Sequence, residues 1–131
     1  MSWWMKPALV GAALALFTAG VVFALPDGSA LAFLAILLAV IAGVYIGIGL
    51  MVSDRFLVTL ETVVAVFFGF LALTGLLLSP AILALGYFLH GLWDLAHHPR
   101  YLRSPGPWWY KPLCLTYDWL VAALIIIRYQ F

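Results

Sequence analysis

The residues of this chain best suited to chemistry lie inside apolar stretches, where ionisable groups are expensive. From Gly86 to His98 the sequence reads G-Y-F-L-H-G-L-W-D-L-A-H-H. At 100° per residue, Asp94 falls about 40° to one side of His90, His97 about 20° to the other, and His98 about 80° away. All four share one helical face with Tyr87, while Leu85, Leu89, Leu92 and Ala96 make up the opposite face. Glu61 and Asp118 are carboxylates in two other apolar runs, with Cys114 one turn before Asp118 and Tyr45 in a third run. Helical bundles build metal sites from inward-facing histidines and carboxylates on facing helices. His90, Asp94, His97 and His98 are therefore read as metal ligands, with Glu61 and Asp118 completing the site as catalytic carboxylates. Nitrogen and oxygen donors suit zinc, iron or manganese better than copper(I). The spacing matches no compact motif such as His-Glu-x-x-His, and Cys114 reads as a packing residue.

A carboxylate at the centre of a membrane helix costs roughly 2.5–3.5 kcal/mol on insertion scales. Three of them, with histidines, must pair, bind something or line water. A divalent ion with an open position would activate water or polarise a lipid carbonyl or phosphate. Two other readings stay open. Chains of Asp, Glu and His also serve proton or ion translocation, and the same groups can satisfy one another structurally, with Arg100 or Lys111 snorkelling towards the carboxylates.

The elements that must position these groups are set by composition. Of 131 residues, 67% are hydrophobic and 8% charged, against roughly 45–50% and 25% in soluble domains. So few polar residues cannot cover a water-soluble fold, so lipid is the expected solvent. The net charge of +1 gives no support to a nucleic-acid partner, and a single cysteine excludes an intramolecular disulfide. Apolar runs near the ~20 residues that cross a bilayer predict spans over 8–25, 30–52, 56–78, 81–98 and 113–129. The fold class is thus an all-α integral membrane bundle of five transmembrane helices in a single domain, 1–131. Four spans plus a re-entrant fourth segment is the alternative, because that segment is polar in its second half. A cleaved signal peptide ending near Val22-Phe23-Ala24 is disfavoured, since the run from Ala8 to Leu25 exceeds the usual ~7–15-residue signal core.

Alternating the loops puts Lys6, Arg55, Arg100, Arg103 and Lys111 on one side and Arg128 on the other. The positive-inside rule then places the N-terminus in the cytoplasm and the C-terminus outside. On that topology Glu61, His90, Asp94, His97, His98 and Asp118 all fall in the cytoplasmic half of the bilayer. The segment from Pro99 to Pro112 lies over them, its four prolines arguing against regular helix. Arg100, Arg103 and Lys111 within it are candidate contacts for anionic headgroups. Small residues form stripes on three spans: Gly11, Ala15, Thr18 and Ala19; Gly43-x-x-x-Gly47; and Ala65, Gly69, Ala72 and Gly75. Such stripes let helices pack closely inside one bundle, and they also permit a homodimer.

The H-x-x-W-D-x-x-H-H segment from His90 to His98, followed by Trp109-Tyr110 and by Cys114 and Asp118, resembles a pattern in small bacterial integral membrane proteins of unknown function. The resemblance covers the last third of the chain. It implies a multi-pass protein of the bacterial inner membrane and supplies no activity. The paired His97-His98 is also similar to a feature of the fatty-acid desaturases, but their repeated histidine boxes are missing. The expectation carried forward is a membrane-embedded, metal-dependent enzyme acting on a lipid-like substrate.

Overall fold

The computed structural model describes residues 2–97 and 106–131. They form five helices: α1 Met5–Ala24, α2 Asp27–Met51, α3 Arg55–Leu77, α4 Pro80–Ala96 and α5 Tyr110–Tyr129. Four of these, α1, α2, α3 and α5, are long and apolar enough to cross a membrane. The fourth, α4, is a shorter apolar helix of 17 residues. At 1.5 Å per residue it spans about 25 Å, less than the ~30 Å of a hydrocarbon core.

Every helix starts ahead of its predicted span, because the first turn tolerates what an interior turn does not. The first N–H groups of a helix have no partner within it, so a proline there loses no hydrogen bond. Pro7, Pro80 and Pro112 all sit in first turns. The expectation of non-helical chain up to Pro112 is corrected accordingly, since α5 takes in Tyr110, Lys111 and Pro112. Asp54 caps α3 by accepting from the Leu57 amide at 3.1 Å, and Ser79 caps α4 by accepting from the Ala81 amide at 3.2 Å. Ser53, with φ of 54°, supplies the left-handed residue that reverses the chain between α2 and α3.

The helices pack in the order α2, α3, α4, α5, α1, each principally against the next. Sequence neighbours α1 and α2 touch only lightly, and α2 reaches α4 across the middle. Tyr87 of α4 secures that crossing by donating to the Leu34 carbonyl of α2 at 2.6 Å. Thr18 and Tyr117 share a buried hydrogen bond of 2.9 Å between α1 and α5. Trp3 meets Trp108 edge-on at one end of the bundle, while Arg128 pairs with Asp27 at the other.

Small residues set the two closest crossings. A Cβ on Gly11 would lie 2.3 Å from the Leu113 carbonyl oxygen, and one on Gly75 would lie 2.8 Å from the Leu83 nitrogen. Gly11, Ala15 and Thr18 of α1 and Ala72 and Gly75 of α3 are thus buried within the chain, whereas Gly69 of α3 has nothing within 4 Å among the described residues. Gly43 and Gly47 of α2 have nothing within 4 Å among the described residues. Outward faces are apolar: Leu16, Phe17, Val66, Phe70 and Ile127 are each more than 60% exposed. The interior, by contrast, holds Glu61, His90, Asp94, His97 and Asp118. This distribution is compatible with a multi-pass membrane protein, in which polar groups are satisfied away from lipid.

Gly11→Ala is expected to lower stability by about 1–3 kcal/mol, the range for overpacking a close contact. Gly20→Ala, on an open face, is expected to be neutral or to stabilise by up to about 1 kcal/mol through helix propensity. Reversible unfolding in mixed detergent micelles measures both.

Candidate metal centre

The polar face of α4 meets α3 and α5 in two separate groups. The first joins α3 to the C-terminal end of α4. Glu61, on the inward face of α3, pairs with His97 Nε2 through Oε1. Its other oxygen, Oε2, accepts from the Trp93 indole N–H at 3.0 Å. His97 caps α4, and its Nδ1 lies 2.7 Å from the Trp93 carbonyl oxygen. A carbonyl only accepts, so Nδ1 carries a hydrogen, and the contact with Glu61 shares a further proton between imidazole and carboxylate. Both His97 nitrogens and both Glu61 oxygens are therefore engaged. The group is buried and fully satisfied.

The second group lies deeper, where α4, α5 and α2 meet. His90 Nδ1 is 2.6 Å from Asp118 Oδ2 and 3.7 Å from Asp94 Oδ2. Asp94 sits one turn after His90 on the same face and accepts from the Tyr45 hydroxyl of α2 at 2.7 Å through Oδ1. Cys114, one turn before Asp118, directs its thiol at Asp118 Oδ2 from 3.7 Å. Tyr45 links the two groups, because its ring also stacks on His97 with centroids 3.9 Å apart. Phe68 closes one side, edge-on to His90 at 4.8 Å.

Donor atoms of His90, Asp94, Cys114 and Asp118 all lie within 4.8 Å of one another, and all four residues are buried. Unlike the Glu61 group, this one is incompletely satisfied. His90 Nε2, Asp94 Oδ2 and Asp118 Oδ1 are buried without a hydrogen-bond partner among the described residues. Two carboxyls face one imidazole, so the charge of the group depends on how many protons they share. Unpartnered polar atoms in a dry interior are what a bound cation can offset.

Geometry agrees in part. Zinc bonds of about 2.0–2.2 Å to nitrogen and oxygen and 2.3 Å to sulfur, at tetrahedral angles, put donors about 3.3–3.6 Å apart. The 3.7 Å Cys114 Sγ–Asp118 Oδ2 and His90 Nδ1–Asp94 Oδ2 separations approach that range, although the unpartnered atoms of His90 and Asp118 are the opposite ones, Nε2 and Oδ1. The 2.6 Å His90–Asp118 contact is a hydrogen bond and would have to open to admit an ion.

The sequence-derived ligand set is thus divided. His90, Asp94 and Asp118 come together, Cys114 joins them, and His97 turns to Glu61. His98, Arg100 and Arg103 lie outside the described residues. Lys111 stands in the first turn of α5, in the wall of an end pocket with Trp3, Asp94 and Trp108. The place of Cys114 beside this group had one signal in the sequence, its one-turn spacing from Asp118. A lone cysteine in an apolar helix is ordinarily a packing residue, and Trp93 gave no sign of its bond to Glu61.

A family model described as a family of unknown function (DUF6010) matches residues 6–128. The chain belongs to this family. The match takes in all five helices and both polar groups of this DUF6010 protein. No curated protein matches it, and no solved structure does.

Glu61→Ala would leave the Trp93 indole and His97 buried without their acceptor, at a cost of about 1–3 kcal/mol for each unpaired group. Glu61→Gln keeps one acceptor oxygen and is expected to cost clearly less. Unfolding midpoints of the two variants in detergent check the order.

Proposed function

We propose that this DUF6010 protein is a membrane-embedded, metal-dependent enzyme acting on a lipid-like amphiphile. The observation that carries the reading is the buried group of four donors from α4 and α5, three of them bearing an unpartnered atom. In this reading His90, Cys114 and Asp118 hold one divalent ion. Thiolate, imidazole and carboxylate together favour zinc, with iron next, over the harder manganese. Such an ion lowers the pKa of bound water and polarises a carbonyl or phosphoryl oxygen.

Asp94 suits a different task. Tyr45 holds its Oδ1 and leaves Oδ2 towards the donors, which fits a group that accepts the proton of an attacking water. Asp94 is also one of the residues around the end pocket of about 250 Å³, with Trp3, Trp108 and Lys111, although its side chain is fully buried. Glu61 and His97 act as a structural pair that fixes the end of α4 and, through the Tyr45 stack, the orientation of Asp94.

The five helices form the bundle in the bacterial inner membrane, N-terminus in the cytoplasm and C-terminus outside, with the short α4 held among longer neighbours. Charge placement supports this orientation, since Lys6, Arg55 and Lys111 gather at one end. Towards the other end the core consists of Leu34, Leu83, Val121 and Ile125, all fully buried. That apolar plug favours a one-sided pocket over a proton path across the membrane.

Elemental mass spectrometry of the detergent-purified, zinc-reloaded protein tests the reading. Near-stoichiometric zinc is expected in the parent and in His97→Gln, with most of it lost in His90→Gln, Cys114→Ser and Asp118→Asn. No zinc in a folded parent would overturn the proposal. Equal loss from His97→Gln would move the site to the Glu61 group.

A further inference from the structure

The weak contact between α1 and α2 leaves a cleft on the side of the bundle, backed by α5. It measures about 350 Å³, at the lower end of the roughly 300–1,000 Å³ typical of ligand pockets. Leu14 and Phe17 form one wall, and Phe33, Leu37 and Ile41 the other. Along α5 the floor changes character, with Tyr117, Cys114 and Tyr110 at successive turns. Tyr117 is occupied by its bond to Thr18. The Tyr110 hydroxyl is buried and has no hydrogen-bond partner among the described residues. Cys114, one turn further on, belongs to the candidate metal group. The cleft therefore opens between the apolar faces of α1 and α2, and its floor passes the proposed centre at Cys114.

We infer that this cleft holds the single hydrocarbon chain of the substrate, a one-chain acyl amphiphile, and that Tyr110 donates to the oxygen at its polar end. The inference rests on the metal-dependent reading for what happens at that oxygen, but the cleft and its occupant can be tested apart from it. Three features specify the occupant. Nearly all of the lining is aliphatic or aromatic, which suits a chain and offers a sugar or peptide few partners. The volume takes one chain and not two side by side. The unpartnered Tyr110 hydroxyl lies one turn from Cys114, within reach of the stretch of floor where a carbonyl or phosphoryl oxygen must come if the donors are to act on it. Entry from the side also suits a substrate already dissolved in the bilayer, since such a molecule never has to cross water.

Photolabelling tests this in phosphatidylcholine vesicles containing a lysophosphatidylcholine with a diazirine at the end of its chain. Peptide mass spectrometry should place the label on the cleft faces of α1 and α2 several-fold above the lipid-facing Val63, Phe67 and Phe70 of α3. Ile41→Trp, which fills the cleft, should lower cleft labelling several-fold and leave α3 labelling and zinc content unchanged. Leu37→Trp serves the same purpose from the adjacent turn, should the first variant fold poorly. Equal labelling of cleft and α3, or cleft labelling unmoved by a folded Trp variant, would overturn the inference. Zinc measured on the same samples separates the two proposals: focused labelling without zinc sinks only the metal reading, and zinc with uniform labelling sinks only this one.

Discussion

Asp118 of α5 and His90 of α4 meet at 2.6 Å with no exposed surface, and the bundle is arranged around keeping that contact dry. In an apolar surrounding a carboxylate or imidazole has no water to fall back on, so each must find its partner on another helix. α4 is the helix that satisfies this on every side. It offers Tyr87 and Asp94 to α2, Trp93 and His97 to α3, and His90 to α5. A helix of only 17 residues is thereby fixed in azimuth and depth by polar contacts to three neighbours. Apolar packing against equally apolar lipid would fix it less firmly.

The two polar groups differ in a way that bears on function. Around Glu61 every donor and acceptor has a partner, which is the condition for a buried ion pair to be tolerated. Around His90 three atoms are left over. A bundle able to satisfy the first group so completely has not done so for the second, and unsatisfied buried polar atoms are a cost that a bound ion or substrate can offset. Two pockets border this second group, the end pocket at Asp94 and the side cleft at Cys114.

Much of this was legible in the residues themselves. The face of α4 carrying Tyr87, His90, Asp94 and His97 follows from the 3.6-residue period and is the buried face, with Leu85 and Leu92 outward. Glu61 and Asp118 were visible as carboxylates in apolar runs that had to face inward. What the angular reading left out was axial distance. His90 and His97 are seven residues apart, about 10 Å along a helix, too far to share one small ion readily despite their common face. Which of them meets Asp118 and which meets Glu61 depends on how α3 and α5 are staggered against α4, where Gly75 comes close to Leu83 and Gly91 to Trp119. Neither property is written in any one segment. Cys114 was hidden for a simpler reason, because sulfur in an apolar helix packs like any other side chain until a second donor stands beside it.

A single ion held by one sulfur together with nitrogen and oxygen donors has a first shell that X-ray absorption at the zinc edge reads directly. For the zinc-loaded protein the expected first shell is one sulfur at about 2.3 Å with nitrogen and oxygen at about 2.0–2.2 Å. The sulfur should be absent from any zinc retained by Cys114→Ser. A shell of nitrogen and oxygen alone in the parent protein, or a sulfur that persists in Cys114→Ser, would contradict a centre built on His90, Cys114 and Asp118.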